Sequence, residues 1–296
     1  MRYGRRYILL FMVLFFVLNM PLVSASGNPP DENRAQPETN GKAVVLLDAN
    51  SGRVLYENNS HEKLPPASVT KIMTALLVIE KGDLDKNAVI SEHAADTPEA
   101  TIYAEPGEVL SRMDLLYAAM LPSANDACTA LAESVSGNEA SFIELMNQRA
   151  RELGMKDTHY CNPHGLQTTA HVTSACDLAL LAREALSNEA FAKIVGTKQT
   201  QIPWVGRDEN RVLINQNRLL YRYDGAIGVK TGYTQEAGNC VVGAAKKGDM
   251  TLISVSLNSP TVYDDLQNML DYGFENYQMV TVAKSNQLIK EVKVIG

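Results

Sequence analysis

The apolar positions of this 296-residue chain change rhythm several times. An unbroken apolar run covers residues 7–23, with Arg2, Arg5 and Arg6 before it and Val23-Ser24-Ala25 at its exit. A basic start, an apolar stretch and small residues at the end predict a signal peptide over 1–25. A retained membrane anchor is the alternative, because the run approaches spanning length. Residues 26–41 are polar and carry Pro29, Pro30 and Pro37, which predicts a disordered tether. Ala43–Asp48 then reads as a strand, Asn50-Ser51-Gly52 as a turn and Arg53–Tyr56 as the hairpin partner.

Helical spacing takes over behind Pro65-Pro66, where Ile72, Leu76, Leu77 and Ile79 form an apolar face closed by Lys81-Gly82. A mixed segment follows, from Asp83 to Glu108. Ser111 and Asp114 then predict a capping box opening a helix to Met120, which Leu121-Pro122 ends. A further apolar run passes Leu131 and Val135 and stops at Gly137. Phe142–Leu153 is amphipathic, with Gly154 at its end. Ser174 and Asp177 read as a second capping box, ahead of Leu178, Leu180, Leu181 and Leu186.

From Lys198 the runs shorten to those of strands: 198–202, 211–214, 227–231, 239–245 and 251–257. A helix from about Asp264 to Tyr277 closes the domain. The order of strands, helices, strands and helix predicts an α+β domain over 42–278, with an antiparallel sheet drawn from both chain ends and a helical cluster between them. The weak alternation of Val280, Val282, Ile289, Val292 and Val294 predicts that 279–296 begins a further β-domain, of which the chain carries only a part.

The net charge of −7 excludes little by itself. Removing residues 1–25 takes away arginines and no acid, so the exported part is more acidic still, which argues against nucleic acid and anionic lipid as partners. Of the cysteines, Cys128, Cys176 and Cys240 have apolar or small flanks. Together with Cys161 they read as buried free thiols, although an exported chain permits disulfides. His159, Cys161, His164 and His171 cluster in the sequence without a His-Glu-x-x-His pattern. Asn162-Pro163-His164-Gly165 reads as a structured loop, and neither a metal nor a cofactor is expected.

The candidate chemistry begins at Ser68 and Lys71. Residues three apart share a helix face, so a lysine amine can reach the serine hydroxyl. The free N–H groups of a first turn can meet an oxyanion formed on a carbonyl that the serine attacks. Ser60 and Lys63 repeat the spacing in a polar stretch without helical periodicity. Ser123-Ala124-Asn125 opens a helix behind Leu121-Pro122, and Ser123 can serve there as an N-cap. Its decoy, Ser136-Gly137-Asn138, lies where a helix stops. Lys230-Thr231-Gly232 ends a strand. There an ammonium can stand beside a bound carboxylate, and a glycine leaves room for substrate backbone.

Ser-x-x-Lys, Ser-x-Asn and Lys-Thr-Gly in this order form the motif set of penicillin-recognising serine enzymes. The chain resembles the low-molecular-mass penicillin-binding proteins, serine-type D-alanyl-D-alanine carboxypeptidases. The likeness extends through Leu46–Gly52, Pro66–Thr74, Met120–Ala127, Asn162–Leu166, Gly228–Thr234 and Ala237–Cys240. It implies a β-lactamase/transpeptidase-like α/β (α+β) fold with a sheet of about five strands. It also implies an acyl-enzyme at Ser68, with Lys71 as proton acceptor and Ser123 relaying a proton to the leaving amine. Asn125 would hold the substrate amide, and Lys230, Thr231 and Gly232 would bind the substrate end. The backbone N–H groups of Ser68 and Tyr233 would form the oxyanion hole. Lys71 would be kept partly neutral by burial or by a neighbouring cation, for which Lys230 is the candidate.

The implied partners are peptidoglycan stem peptides ending in D-Ala-D-Ala, and β-lactams as covalent inhibitors. The implied location is extracytoplasmic. Relatives often end in an amphipathic helix that lies on the membrane, and no such C-terminal anchor pattern occurs here. Relatives also often carry an arginine where this chain reads Thr261-Val262-Tyr263-Asp264. The absence of a Glu-x-x-Leu-Asn type motif between Asn125 and Lys230 argues against a class A β-lactamase. Endopeptidase action on cross-links, a penicillin sensor with little turnover and a non-catalytic peptidoglycan-binding module are the alternatives.

Overall fold

The structure, a computed structural model, describes residues 35–280. The expected signal peptide, the first part of the tether and residues 281–296 lie outside the described residues. From Glu38 the tether segment is held in place. The Asn40 backbone N–H donates to Asp265 Oδ1 at 2.9 Å, and Asn268 Nδ2 donates to the Glu38 carbonyl at 2.9 Å.

Strands β1 (Ala43–Asp48) and β2 (Val54–Asn58) form the expected hairpin. A 3-10 turn, Ala67–Thr70, leads into helix α1 (Lys71–Lys81). The mixed segment contains β3 (Asn87–Val89), α2 (Glu92–Ala95) and β4 (Val109–Ser111). The helical cluster continues with α3 (Arg112–Met120), α4 (Asn125–Ser136), α5 (Glu139–Glu152), α6 (Ala175–Leu186) and α7 (Glu189–Gly196). Then come β5 (Gln199–Ile202), β6 (Arg211–Ile214), α8 (Leu219–Arg222), β7 (Ala226–Thr234), β8 (Gly238–Lys247), β9 (Met250–Leu257) and α9 (Val262–Asn276).

The main sheet has five strands in the order β2-β1-β9-β8-β7, with antiparallel pairing throughout. It draws on both chain ends, as expected. The strand-like runs 198–202 and 211–214 instead pair with each other as a separate ribbon, β5-β6. Helix α7 had no place in the sequence expectation, because Glu189–Gly196 is too short to show a clear period.

Strand β1 explains how the layers are sorted. Successive strand side chains point to opposite faces. Val45 and Leu47 pack toward the helical cluster, whereas Val44 and Leu46 pack with Leu266, Met269 and Leu270 of α9. Helix α1 is buried from Lys71 to Ile79 and runs through the interior of that cluster. Each of its fully buried aliphatic side chains contributes about 1.5–3 kcal/mol.

Ser111 and Asp114 form the reciprocal capping box. At Ser174 only half of the box forms. The hydroxyl accepts from the Asp177 N–H, but the Asp177 carboxylate turns to the Asp157 N–H and the Thr158 hydroxyl. Cys128 and Cys240 are buried free thiols, as expected; Cys161, in the irregular stretch before α6, and Cys176, in the first turn of α6, are also free but only half-buried. Among the described residues, no helix is long and apolar enough to cross a membrane.

Candidate active site

The Ser68 turn is clamped from two sides by glycines. A 3-10 turn has about three residues per turn, so side chains at i and i+3 eclipse. This stacks Lys71 over Ser68, and Lys71 Nζ lies 2.9 Å from Ser68 Oγ. Ala67 is held at φ 50°, a conformation that side chains other than glycine rarely adopt. Gly165, at φ +93°, packs so closely on the turn that a methyl group there would overlap the Ala67 carbonyl. On the other side, a Cβ at Gly232 would lie 2.8 Å from the Ser68 nitrogen. The glycine of Lys230-Thr231-Gly232 therefore makes room for the Ser68 turn itself, where the sequence suggested room for substrate.

A buried chain of hydrogen bonds fixes the same turn from below. The Cys161 N–H donates to His171 Nδ1 at 3.1 Å, which leaves the proton of a neutral imidazole on Nε2. That nitrogen is 2.9 Å from Thr70 Oγ1, whose hydroxyl donates to the Ala67 carbonyl at 2.9 Å. Burial holds His171 neutral by lowering its pKa to about 4. The loop 162–165 closes the back of the site. Asn162 Oδ1 accepts from the Gly165 N–H at 2.7 Å, and Thr74 Oγ1 donates to the Pro163 carbonyl at 2.5 Å.

Lys71 has no exposed surface, and Lys230 is 1% exposed. Lys71 Nζ contacts Asn125 Oδ1 at 2.7 Å and the His164 carbonyl at 2.7 Å, besides Ser68 Oγ. Burial lowers Lys71 to about 8, against smaller opposing pulls from Cys128, Glu99 and Asp126. Burial also lowers Lys230 to about 7, and the charge of Lys71 adds to that effect. Of the two causes expected for a neutral Lys71, burial comes first, and it is also the first cause at Lys230. Lys230 Nζ donates to the Thr231 carbonyl at 3.0 Å and lies behind the cleft wall.

Ser123 precedes α4 at φ 71°. It is not the helix cap: Ala124 occupies that position, without a side-chain bond. The Ser123 hydroxyl is buried and has no hydrogen-bond partner among the described residues, a costly state for a polar group. Asn125 is anchored at both ends, since its Nδ2 donates to the Pro98 carbonyl at 2.8 Å. Its amide therefore sets the position of Lys71. Behind it, the buried Asp126 carboxylate accepts from the N–H groups of Ile102 and Ala104 and fixes the segment that borders the cleft.

The cleft has a volume of about 800 Å³, and its walls include Ser68, Ser123, Asn125, Thr231, Gly232 and Tyr233. Strand β7 forms one wall and is an edge of the sheet, so an extended peptide can lie along it. Sequence reasoning missed several residues here. Gln216 braces the Ser123 loop through its N–H on the Leu121 carbonyl, and its side chain reaches the Pro122 carbonyl. Pro98, His164 and Gly165 serve through backbone groups or close approach, so their residue types gave no signal of chemistry. The histidines are committed to structure, with Leu166 N–H on His164 Nδ1 at 3.2 Å.

A serine held against a buried lysine, beside an edge strand and an orphan hydroxyl, defines an acyl-transferring serine enzyme of the penicillin-recognising class. Residues 31–261 match the peptidase S11 family, D-alanyl-D-alanine carboxypeptidase. The chain belongs to that family of serine peptidases, which acts on the cell wall. It is 41% identical over 263 residues to D-alanyl-D-alanine carboxypeptidase DacF of Bacillus subtilis, covering 86% of this chain and 67% of the relative. It is 35% identical to DacC of Escherichia coli, covering 84% of this chain and 64% of that protein. The chain thus spans about two thirds of the length of these relatives. A solved D-alanyl-D-alanine carboxypeptidase from Mycobacterium tuberculosis superposes with a TM-score of 0.80 at 30% identity, covering 86% of this chain and 98% of that one. The Streptomyces K15 DD-transpeptidase gives a TM-score of 0.77 at 30% identity, covering 82% and 100%.

Proposed function

We propose that the chain removes the terminal D-alanine from peptidoglycan stem peptides ending in D-Ala-D-Ala, through an acyl-enzyme at Ser68. The observation that carries this reading is the buried Lys71 at 2.9 Å from Ser68 Oγ, with carbonyl oxygens of Asn125 and His164 at 2.7 Å. A neutral amine has two N–H donors and one lone pair. The two carbonyls take the donors, and the lone pair is left facing the Ser68 hydroxyl.

In this mechanism Lys71 takes the Ser68 proton as Oγ bonds to the carbonyl carbon of the penultimate residue. The developing oxyanion is met by the backbone N–H groups of Ser68 and Tyr233, each worth about 2.7–4 kcal/mol. The Ser68 N–H belongs to a first turn and so has no partner within its own helix. Collapse breaks the C–N bond as Ser123 gives its proton to the departing amine of D-alanine and takes in return the proton that Lys71 had received, which leaves Lys71 neutral again. Thr231 receives the terminal carboxylate on the cleft wall, with Lys230 behind it and Gly232 setting the strand against the nucleophile. Water then attacks the ester and gives its proton to Lys71, which restores Ser68 and frees the shortened peptide. A β-lactam acylates Ser68 in the same way but keeps its leaving amine tethered.

The domain over 42–278 carries this chemistry outside the cytoplasm, after export directed by 1–25. The test is D-alanine release from an acylated peptide ending in D-Ala-D-Ala. Release that depends on Ser68 is expected. Penicillin labelling without any release would point to a sensor, and cleavage confined to cross-linked dimers would point to an endopeptidase.

A further inference from the structure

Two loops beside the cleft are tied together by an ion pair that the proposed chemistry does not use. Glu108 and Arg211 are both buried. Arg211 donates from Nη1 to Glu108 Oε1 at 2.5 Å and from Nη2 to Oε2 at 2.8 Å. Desolvation offsets much of the attraction in such a pair, so its value lies in what it positions. The same guanidinium donates to the Tyr103 carbonyl at 3.2 Å and to the Pro203 carbonyl at 3.1 Å. Glu108 in turn accepts from the N–H groups of Glu105 and Val205 at 3.2 and 3.4 Å. Loops 96–108 and 203–210 are therefore locked side by side.

The locked loops present an open aromatic surface. Tyr103 is 79% exposed and Val205 54%. Tyr103 is held at φ 56°, a conformation that bulky side chains rarely adopt. Among the described residues, neither its ring nor its hydroxyl enters an aromatic contact, a cation–ring contact or a hydrogen bond. The half-buried Trp204 ring lies 5.1 Å from the Arg211 guanidinium and 5.4 Å from that of Arg207. The Arg207 N–H closes the turn on the Trp204 carbonyl at 3.0 Å. Arg207 is exposed and, among the described residues, in no ion pair. An open aromatic face beside a free donor fork suits a neutral sugar, whose ring has an apolar C–H face and polar edges.

Position and size favour a sugar over a protein. Ala100 borders the cleft, and its carbonyl accepts from the Asn125 N–H at 2.6 Å. Tyr103 follows three residues later, at most about 11 Å along the chain. A five-residue stem peptide spans up to about 17 Å, and its end away from D-Ala-D-Ala is joined to a strand of N-acetylated amino sugars. That strand is within reach of Tyr103 when the peptide occupies the cleft. A stable protein interface uses roughly 20–30 residues a side, far more than two loop tips offer.

We infer that Tyr103, Trp204 and Arg207 form a subsite for the glycan strand that carries the stem peptide. The Tyr103 ring stacks on the apolar face of one N-acetylated sugar, Trp204 forms the floor, and Arg207 donates to hydroxyl or acetamido oxygens. This inference rests on the proposed carboxypeptidase reading for the identity of the substrate and extends it from the peptide to the polymer. The three residues touch no reacting atom, so their loss weakens binding and leaves the acylating machinery whole.

Trp204 is the sole tryptophan of the chain, so its emission reports on this surface. The test titrates the protein with a peptide-free tetramer of β-1,4-linked N-acetylglucosamine, read by calorimetry and by Trp204 emission. Saturable binding with a shift in emission is expected, unchanged when Ser68 carries penicillin. Tyr103→Ala lowers the affinity at least tenfold, Tyr103→Phe retains it, and Arg207→Gln weakens it severalfold. Penicillin acylation at the wild-type rate shows that each variant is folded. A second arm compares a free pentapeptide with the same peptide on its disaccharide. In the wild type KM is at least tenfold lower for the disaccharide form, and in Tyr103→Ala the two values converge. No binding of the tetramer, or binding undiminished in Tyr103→Ala and Arg207→Gln, overturns the inference. Sugar binding as described without D-alanine release would fell the carboxypeptidase reading and leave the subsite standing; release without sugar binding does the reverse.

Discussion

Two stretches eight residues apart carry the same Ser-x-x-Lys spacing and do opposite things with it. At Ser60 the hydroxyl donates to Glu57 Oε2 at 2.5 Å, and the carbonyl accepts from the Cys176 N–H at 2.9 Å. Its lysine, Lys63, has a side chain 57% exposed and reaches no nearer than 3.8 Å to Asp157. At Ser68 the serine faces a cleft and the lysine has no exposed surface. The spacing is shared; what differs is the desolvation of the lysine and the freedom of the hydroxyl. A motif of this kind becomes chemistry when the fold buries the base and leaves the nucleophile without a competing partner.

The largest effect that can break this comparison is at the serines. Ser68→Ala is expected to lower kcat for D-alanine release on the order of a millionfold, the scale seen when a nucleophile is removed. Ser60→Ala is expected to cost about 0.5–1.5 kcal/mol of stability and to leave kcat/KM unchanged. Denaturant titration beside the release assay separates the two. A loss of activity at Ser60 would end the distinction.

The lysines come next. Lys71→Ala is expected to slow acylation by about 10²–10⁴, the span of general-base contributions. Lys63→Ala is expected to leave the acylation rate as it is, and stopped-flow measurement with a fluorescent penicillin reads both. At the clamp, Gly165→Ala forces a methyl group onto the Ala67 carbonyl and imposes a left-handed conformation on alanine. A destabilisation of about 1–3 kcal/mol is expected, with slower acylation because the Ser68 turn must shift. Gly82→Ala is the control. It shares the positive φ but has open space around it, so it should cost stability alone.

The smallest effects are in pH. The acid limb of kcat/KM should report the free-enzyme base, with activity rising as pH approaches about 8 and Lys71 loses its proton. Stability should change in the same direction. The folded chain releases the Lys71 proton near 8, while the unfolded chain holds it to about 10.5, so between those values the unfolded state binds the extra proton. Stability therefore rises with pH across that window, and Lys230 extends the rise down to about 7. Below the window both lysines are charged inside the protein and that stabilisation is lost. Urea midpoints across pH should show this slope in the wild type and a shallower one in Lys71→Met.

Much of this was legible in the chain before folding, for reasons that differ by residue. The β1 run, the Ser111 capping box and the α1 face are local patterns, and tertiary packing reinforces them. The order of the main sheet followed from strands at both chain ends. The residues β5 and β6 looked like its members, because a short strand does not declare its partner. Ser68, Lys71, Ser123 and Lys230 stood out because side-chain chemistry is written in residue type. The His164 carbonyl, the contact at Gly165 and the His171–Thr70 chain did not, because they act through backbone groups or through shape. Whether burial or the charge of Lys230 leads at Lys71 was left open for a similar reason: a sequence records a charge but not its burial.

The central claim is that Ser68 alone among the serines of this chain is the acylated nucleophile. The direct measurement is peptide mapping by mass spectrometry after brief exposure of the protein to penicillin. One covalent adduct per chain is expected, on the peptide that contains Ser68 and absent from a folded Ser68→Ala variant. An adduct on Ser60 or Ser123, or labelling undiminished in that variant, would contradict it.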